Sequence, residues 1–360
     1  MTRSFLLFEK SQVPSVTSEK LRASGYFCAA MAFIGAATLG LLIGPADIGK
    51  PSVILELISR LPFVDIDSGL SDIHKKIIWE VRFPRVLLGG LVGATLAISG
   101  ASYQAVFRNP LADPYLLGAA AGAGLGATIA IVSGSGDGAG AFDLVPLLAF
   151  AGALIAVALT YCLGYSAGSQ RSPASLLLAG VAVASFLTAI QTFVLQQNVD
   201  TIRQVYSWIL GRLTVASWDE VSLLAPYSFI ASAVILLQRR TLDVMRLGDI
   251  EALSLGTRPQ IVRLAVIFAA SLGTAASVAV SGLIAFVGLI VPHTIRLLAG
   301  TSNRIVLPLS ILYGAAFLML VDLLGRTLAS PAEIPIGVIT AFFGAPFFVI
   351  VLRTSKKTLA

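Results

Sequence analysis

The sequence predicts an all-α polytopic membrane protein, and three observations support this fold class. Only 12% of the 360 residues are charged, about half the share found in soluble domains. Apolar residues make up 56% of the chain, and the mean hydropathy is +0.88. The apolar residues also fall into long runs. A chain with so little polar surface belongs in lipid, where helices satisfy their own backbone groups. Its sparse charges, with a net charge of only +6, also exclude a disordered chain and a nucleic-acid module.

Ten apolar runs are long enough to be considered membrane spans, since a spanning helix needs about 20 residues. The sixth and eighth are short. The ten predicted spans are 24–44, 86–107, 115–133, 142–165, 174–197, 223–238, 262–281, 283–299, 305–325 and 336–352. The first span follows a polar segment and is expected to remain as an anchor and not to be cleaved as a signal. We therefore divide the chain into a cytoplasmic N-terminal segment (1–23), a single transmembrane domain (24–352) and a cytoplasmic tail (353–360).

The distribution of charge predicts which side each loop faces. With ten spans both termini lie on one side, and placing them in the cytoplasm puts 16 of the 25 cations and 6 of the 19 acidic residues inside. This asymmetry agrees with the positive-inside rule. Both termini are therefore predicted to be cytoplasmic.

Three segments between the spans are unusually long. Residues 45–85 form a polar outer segment, and residues 199–222 are typical of an outer interfacial or re-entrant helix. Residues 239–261 form the largest inner loop, in which Asp249 can cap a short helix that Gly256 ends. An ordinary basic inner loop is the alternative interpretation.

The chain also contains a faint internal repeat. Residues 97–100 read AISG and are followed by Pro110, whereas residues 279–282 read AVSG and are followed by Pro292 at the same spacing. Because the two copies fall on spans of opposite direction, an inverted repeat would produce this pattern. Chance similarity in a low-complexity membrane sequence explains it equally well, and both interpretations stay open.

Two short motifs imitate nucleotide-binding loops. Gly44–Lys50 reads GxxxxGK, but Pro51 stands where Ser or Thr must contact magnesium. The GxGxxA run that starts at Gly122 lies inside a span, without the strand that a dinucleotide fingerprint requires. We therefore expect neither an ATP site nor a cofactor on this chain. Gly118, Gly122 and Gly126 recur every four residues and are expected to let helices pack closely.

Charged and metal-ligating residues are scarce within the spans. Asp322 and Arg326 lie four residues apart at the outer end of the ninth span and can pair. The two cysteines and two histidines do not form a pattern typical of a metal site. An ion-driven carrier is expected to carry a buried carboxylate or histidine near mid-membrane. The sequence therefore favours a passive pore, or a pump driven by another subunit.

Several longer runs resemble one family, the permeases of ABC importers for ferric siderophores, haem and cobalamin. These runs are RFPRVL at 82–87, AISGA at 97–101, QAVFRNPLADP at 104–114, LG at 117–118, GLIAFVGLIVPH at 282–293, EIPIGVIT at 333–340 and GAP at 344–346. They occur in the family's order over roughly residues 82–352.

The resemblance implies a homodimeric ten-helix permease in the bacterial cytoplasmic membrane. Two ATPase subunits, which carry ATP and Mg, would dock on the cytoplasmic side, and an extracytoplasmic binding protein would deliver the substrate. A ferric siderophore is the favoured substrate, and haem or cobalamin is the alternative. A passive channel, a secondary carrier and a purely structural membrane subunit are the rival functions.

The resemblance also assigns roles to residues. In the family, arginines at the positions of Arg82, Arg85 and Arg326 receive carboxylates from the binding protein, a role that suits the planar guanidinium; snorkelling at the membrane interface is the alternative. The ATPase-coupling loop corresponds to Gly248, Asp249, Glu251, Ala252, Leu253 and Gly256, although Leu253 departs from the family's Glu-Ala-Ala pattern. Polar residues at the end of the fifth span are candidates for the translocation path: Gln191, Gln196, Gln197 and Asn198. His293 is expected to have a structural role beside Pro292 and not to bind a metal.

Overall fold

The computed structural model describes residues 19–46, 48–60, 67–134, 144–166, 173–214 and 216–356. Within these ranges the chain folds into helices without any strand, which confirms the all-α class. The α-helices are α1 (Glu19–Leu42), α2 (Lys50–Ser59), α3 (Asp72–Lys76), α4 (Phe83–Val106), α5 (Ala119–Val132), α6 (Leu144–Ser166), α7 (Pro173–Gln197), α8 (Ile202–Ile209), α9 (Trp218–Leu237), α10 (Arg239–Val244), α11 (Asp249–Ser254), α12 (Pro259–Ser281), α13 (Val287–Ala299), α14 (Asn303–Thr327) and α15 (Ile336–Lys356). Residues 1–18 and 357–360, which belong to the two predicted cytoplasmic ends, lie outside the described ranges.

Seven of the described helical segments are long and apolar enough to cross a membrane, and three further apolar helices are shorter. Each predicted span overlaps one of these ten segments. The second span is longer than predicted, because a π-helical turn at Ile77–Arg82 joins α3 to α4 in one helical segment, Asp72–Val106. The eighth begins at Val287 instead of residue 283. The total of ten crossings remains a prediction.

Helix α4 forms the centre of the bundle and contacts α9, α12, α13 and α14. Glycines allow these close approaches. A Cβ atom on Gly93 would collide with the carbonyl of Gly314 on α14, and one on Gly100 would collide with the backbone of Gly288 on α13. Close backbone contact through small residues is how helices associate in lipid, so α4 is buried along nearly its whole length.

The glycine series at the start of the third span has two functions. Gly122 and Gly126 pack against the backbone of α6, at the carbonyls of Gly152 and Leu148 respectively, as the sequence predicts. Gly118 differs from the prediction, because it lies outside the helix as the N-cap of α5, with a left-handed φ of 81°. Its role is to turn the chain into α5.

Helices α5 and α13 are too short to cross a membrane unaided. They have 14 and 13 residues, or about 20 Å each at 1.5 Å per residue, against about 30 Å of hydrocarbon. Each is preceded by a non-helical stretch, 107–118 and 282–286. These stretches meet where the hydroxyl of Tyr115 donates to the carbonyl of Ile284 (3.1 Å) and accepts from its N–H (3.2 Å). Buried backbone outside helices needs such internal partners.

The short helices bear on the inverted repeat, because they occupy the third and eighth of the ten predicted spans. A pair of short segments at corresponding places in two halves is typical of repeat transporters. The two sequence copies do not share the same local structure, however. Gly100 lies inside α4, whereas Gly282 follows the end of α12 with φ 70°. Pro110 lies in a turn, whereas Pro292 lies within α13.

Contacts between loops agree with the predicted sides. Among predicted outer segments, the indole of Trp218 donates to the carbonyl of Trp79 (2.9 Å). At the outer start of the tenth predicted span, the N–H of Ile336 donates to the carbonyl of Gly211 (3.3 Å). Among predicted inner segments, Arg246 donates to the carbonyl of Thr301 (2.8 Å). The predicted outer segment 199–222 contains the short helix α8.

Candidate functional site

The first candidate site is a cluster of charges on the predicted outer side. Arg85, near the start of α4, donates three hydrogen bonds of 2.8–3.1 Å to the carboxylate of Asp322 on α14. The other edge of its guanidinium donates two 2.8 Å bonds to Glu333, in the loop before α15. Arg85 therefore joins α4, α14 and the 328–335 loop. The hydrogen bonds from Arg85 lower the pKa of Glu333, with more effect than the opposing influence of burial.

The other two outer arginines bond mainly to backbone. Arg326 donates to the carbonyl of Gly40 (2.6 Å) and lies 3.5 Å from Asp322, which confirms the predicted Asp322–Arg326 pair. Arg82 donates to the carbonyls of Leu41, at 3.1 Å, and Ala46. The carbonyls at the end of α1 have no partner within the helix, so arginines are suitable donors for them.

The same contacts explain why Gly44 occurs in the apparent phosphate-binding motif. A Cβ atom on Gly44 would lie 2.9 Å from Nε of Arg82, so glycine gives the guanidinium room. The segment follows α1 and precedes α2, without the strand that a phosphate-binding loop follows. Gly44 therefore has a packing role between the end of α1 and Arg82.

The structure brings the three predicted docking arginines together, but it buries them. Arg82, Arg85 and Arg326 are 3%, 9% and 2% exposed. The most accessible charge of the cluster is Glu333, whose side chain is 29% exposed. This carboxylate could not be assigned to the cluster from sequence, because 248 residues separate it from Arg85.

The second candidate site is the predicted coupling loop, which contains α11. Gly248 precedes the helix with φ 139°, and Gly256 follows it with φ 78°. Asp249 does not cap the helix as expected. It lies in the first turn, and its carboxylate accepts hydrogen bonds from Arg263 on α12 (3.0 and 3.2 Å) and from Arg108. Burial would raise the pKa of Asp249, but the two arginines outweigh it and lower the pKa.

Helix α11 buries one small residue and exposes large apolar ones. Ala252 is fully buried, and its carbonyl accepts from the hydroxyl and the N–H of Thr257. By contrast Ile250, Leu253 and Leu255 are 80%, 58% and 62% exposed, and Glu251 is also exposed. Exposed apolar groups on a short, anchored helix are typical of an interaction surface. Ile250 and Leu255 are members of this surface that the sequence analysis missed.

The third candidate site is α7, on which the predicted path residues lie in different environments. Gln191 is 8% exposed and donates to the hydroxyl of Thr128 on α5 (3.0 Å), so it faces the bundle interior. Asn198 donates to the carbonyl of Val194 (2.8 Å) just after the helix ends. Gln196 and Gln197 are exposed.

Exposed polar residues continue along α7 from Gln196. Ser185, Thr188 and Thr192 are exposed and follow one another at intervals of three or four residues, which places them with Gln196 on one helix face. The stripe covers about 16 Å at 1.5 Å per residue, roughly half of the hydrocarbon thickness. The 3.6-residue periodicity of these polar positions was the sequence signal that could have revealed it.

His293 has a packing role, as expected. Its ring contacts Phe347 of α15 edge-on, with 5.8 Å between centroids. Pro292 does not interrupt α13, but its missing N–H leaves the carbonyl of Gly288 without a helical partner. Gln104 on α4 donates to that carbonyl at 2.9 Å. The described residues contain no group of three potential metal ligands.

One carboxylate between the spans was not singled out by sequence. Asp113 lies in the 107–118 stretch, and its carboxylate accepts the N–H of Tyr115 at 2.8 Å. Burial raises the pKa of Asp113 to about 6. Its ordinary role is to hold the turn that precedes α5.

Comparisons with known proteins give a consistent result. The model of a family described as the FecCD transport family matches residues 32–354. The chain is 41% identical over 285 residues to the cobalamin import system permease BtuC of Halobacterium salinarum, covering 79% of this chain and 75% of the relative. It is 35% identical over 344 residues to the Fe(3+)-citrate import system permease YfmD of Bacillus subtilis, covering 94% of this chain and 98% of the relative.

A solved structure supports the fold as well. It is described as an inward-facing conformation of a metal-chelate type ABC transporter, and it superposes on this chain with a TM-score of 0.79. The two chains are 27% identical, and the match covers 92% of this chain and 99% of the other.

Proposed function

Since the chain belongs to the FecCD transport family and is a membrane-spanning permease of the ABC import systems for iron chelates, haem or cobalamin, we propose that it carries a ferric siderophore. In this proposal two copies form the path in the bacterial cytoplasmic membrane, with ten spans and both ends inside. Separate ATPase subunits bind ATP and Mg and supply the energy. Haem and cobalamin are the alternative substrates.

The polar stripe on α7 is the observation that carries the proposed path. Side chains of Ser185, Thr188, Thr192 and Gln196 lie on an exposed face, and polar residues within spans usually face a water-filled cavity or another helix instead of lipid. Thr192 also donates to the carbonyl of Thr188 (2.8 Å). This bond lowers the free-energy cost of placing the hydroxyl in a cavity or against another helix. The same α7 face is the candidate contact with a second copy, so the path would lie along the dimer axis.

Cysteine accessibility tests the path. Ser185→Cys and Thr192→Cys, in a background in which Cys28 and Cys162 are replaced by Ala, should react with a membrane-impermeant maleimide in the assembled transporter. The control is Phe229→Cys on α9, since Phe229 is 75% exposed and apolar, and should react only with a lipid-soluble reagent. If the two α7 cysteines react no faster than the control, α7 does not line the path.

The short helix α11 supports the proposed coupling to an ATPase. Ile250 and Leu253, with Leu255 just after the helix, offer an apolar contact surface. Asp249 ties α11 to the turn after α4 through Arg108 and to α12 through Arg263. A partner that moves α11 would therefore move those two elements as well. ATP binding then biases the permease between two states by binding one of them better.

Two substitutions separate the contact of α11 with the ATPase from the transmission of its movement to the rest of the permease. Ile250→Glu places a charge on the exposed surface and should prevent co-purification of the ATPase, whereas Asp249→Asn should leave the ATPase bound but weaken the dependence of its activity on the binding protein. Arg240→Gln, at an exposed position on α10, is the control. Normal co-purification and normal coupling in both variants would contradict this role of α11.

Docking of the binding protein on Arg82, Arg85 and Arg326 is also proposed, with one modification. Glu333 already occupies the accessible edge of Arg85, so an incoming carboxylate has to compete with Glu333. Replacing all three arginines with Glu should abolish docking, while Glu333→Gln should tighten it. Binding to reconstituted permease, measured by surface plasmon resonance, tests both; unchanged affinity in both variants would refute the assignment.

The substrate is tested with the cognate binding protein. Its affinity for a ferric siderophore, haem and cobalamin, measured by quenching of its intrinsic fluorescence, should be highest for the ferric siderophore. The same ligand should then show ATP-dependent uptake into proteoliposomes. Preference for cobalamin or haem would reassign the substrate and leave the permease function standing.

A further inference from the structure

A polar cavity on the predicted inner side plays no part in the proposed path or in the α11 surface. Its volume is about 230 Å³. Three guanidiniums, those of Arg108, Arg246 and Arg296, line it together with the amides of Gln104 and Asn303. These residues come from α4 and the turn after it, the loop after α10, α13 and α14, so the fold brings them together from distant parts of the chain.

The positive charge around this cavity is only partly neutralised. Arg108 shares the carboxylate of Asp249 with Arg263. Arg246 bonds to the carbonyl of Thr301, and Arg296 bonds to Gln104 and, at 3.3 Å, to a backbone carbonyl. Neither Arg246 nor Arg296 forms an ion pair within the described part of the chain. Cations that share a partly buried space repel one another unless an anion lies between them.

A buried donor on a residue that lines the same cavity lacks an acceptor within the described part of the chain. Asn303 is 1% exposed, and its side-chain nitrogen has no hydrogen-bond acceptor in the described structure. Buried polar groups are nearly always hydrogen-bonded, so an acceptor that enters the cavity would satisfy this N–H group. Gln104 does not supply one, because its oxygen accepts from Arg296 and its nitrogen donates to Gly288.

The helix terminus beside the cavity is already occupied. Asn303 is the first residue of α14, and its backbone N–H donates to Asp243 at 2.6 Å. The hydroxyl of Ser302 donates to the other oxygen of Asp243 at 2.7 Å. The α14 dipole is therefore satisfied by Asp243, and the site depends on side chains.

We infer that this cavity binds a phosphate-bearing anion. The planar guanidinium matches phosphate oxygens. The cavity volume is roughly eight times the 30 Å³ or so that one water occupies, which is enough for a tetrahedral phosphate with several waters. The phosphate belongs either to a free anion or to an anionic lipid headgroup, which the inner leaflet supplies in quantity. Because Arg108 both lines the cavity and pairs with Asp249, bound phosphate would also stabilise the position of α11.

The test uses the purified full chain in a neutral detergent and inorganic phosphate as the probe. Phosphate is titrated at constant ionic strength, and the thermal unfolding midpoint is recorded. The wild type should be stabilised, and Asn303→Ala and Arg246→Gln should bind phosphate at least about tenfold more weakly, as expected for loss of a hydrogen bond to a charged group. Ala has the best helix propensity and adds no charge beside Asp243, so Asn303→Ala should keep its fold. Arg239→Gln removes an exposed cation that does not line the cavity and should behave like the wild type.

A second arm identifies the source of the phosphate. The same proteins are reconstituted into bilayers of phosphatidylcholine, with or without phosphatidylglycerol. If phosphatidylglycerol stabilises the wild type and Arg239→Gln but not the two cavity variants, and free phosphate acts more weakly, the ligand is a lipid headgroup. A stronger effect of free phosphate assigns the soluble anion. The inference is overturned if the wild type responds to neither probe, or if the two cavity variants respond as it does.

Discussion

Asp322 is the residue whose loss should do most damage to the outer charge cluster. Asp322 and Arg326 are each 2% exposed, and Asp322 accepts three hydrogen bonds from Arg85. In Asp322→Asn, Arg85 keeps both bonds to Glu333, but Arg326 loses the only carboxylate within ion-pair distance in the described structure. Removing one partner of a buried pair costs about 3–5 kcal/mol. Glu333→Gln should cost about 1 kcal/mol, since the Glu333 side chain is 29% exposed and accessible pairs contribute little.

Thermal unfolding in detergent, followed by tryptophan fluorescence, measures this difference. Asp322→Asn should melt well below Glu333→Gln, and Asp200→Asn, at an exposed position, should melt like the wild type. The double variant Asp322→Asn with Arg326→Met should recover part of the loss, because it removes the uncompensated charge. Equal melting of Asp322→Asn and Glu333→Gln, or a double variant less stable than Asp322→Asn alone, would refute this account of the cluster.

Three further predictions use the same unfolding assay. Gln104→Leu should cost about 1–3 kcal/mol, because it leaves the Gly288 carbonyl unpaired; Gln197→Leu, at an exposed site, is the control, and equal stability would contradict the contact. Gly122→Ala should destabilise by about 1–3 kcal/mol, since its Cβ meets the α6 backbone, whereas Gly35→Ala meets nothing within 4 Å and should be neutral. For Asp113, whose pKa rises from 3.8 to about 6 in the fold, the ionised form is disfavoured, so its contribution to stability falls as pH rises through that interval. Asp113→Asn should therefore match the wild type below pH 3.8 and exceed it above pH 6; no pH dependence of the difference would refute the shift.

The helical architecture could be predicted because it depends on composition and run length. Ten apolar runs coincide with ten described apolar helices, since each backbone in lipid must satisfy its own hydrogen bonds. The π-helical turn that lengthens the second span could not be predicted. It depends on how the outer segment packs, where Glu56 of α2 accepts from Trp79 at 3.0 Å.

The chemistry of the candidate sites was predicted less completely, because it depends on pairs far apart in sequence. The partners Asp322 and Glu333 lie 237 and 248 residues from Arg85, so the sequence does not reveal them. The sequence analysis therefore expected an accessible arginine, whereas the fold buries its side chain. Gln104 and the Gly288 carbonyl are 184 residues apart. Pro292 signalled that a carbonyl needed a partner but not which residue would supply it.

The functional residues that face outward could be predicted from the sequence only in part. The departure of Leu253 from the family's Glu-Ala-Ala pattern was visible, but its meaning appeared only when Ile250 and Leu255 were found exposed beside it. On α7, the sequence predicted path residues among the four amides near its end, of which Gln191 faces inward. Small hydroxyl residues carry a weaker signal than amides because they can bond to their own helix.

The central claim, that this chain is the path of an ATP-driven importer, is tested most directly by transport itself. The chain is reconstituted in proteoliposomes with its ATPase and binding protein, and uptake of a radioactive ferric siderophore is measured with ATP at the ATPase side, without any ion gradient. Uptake that requires ATP and stops in Ile250→Glu is the predicted result. Uptake driven by a proton or sodium gradient in the absence of ATP would contradict the account.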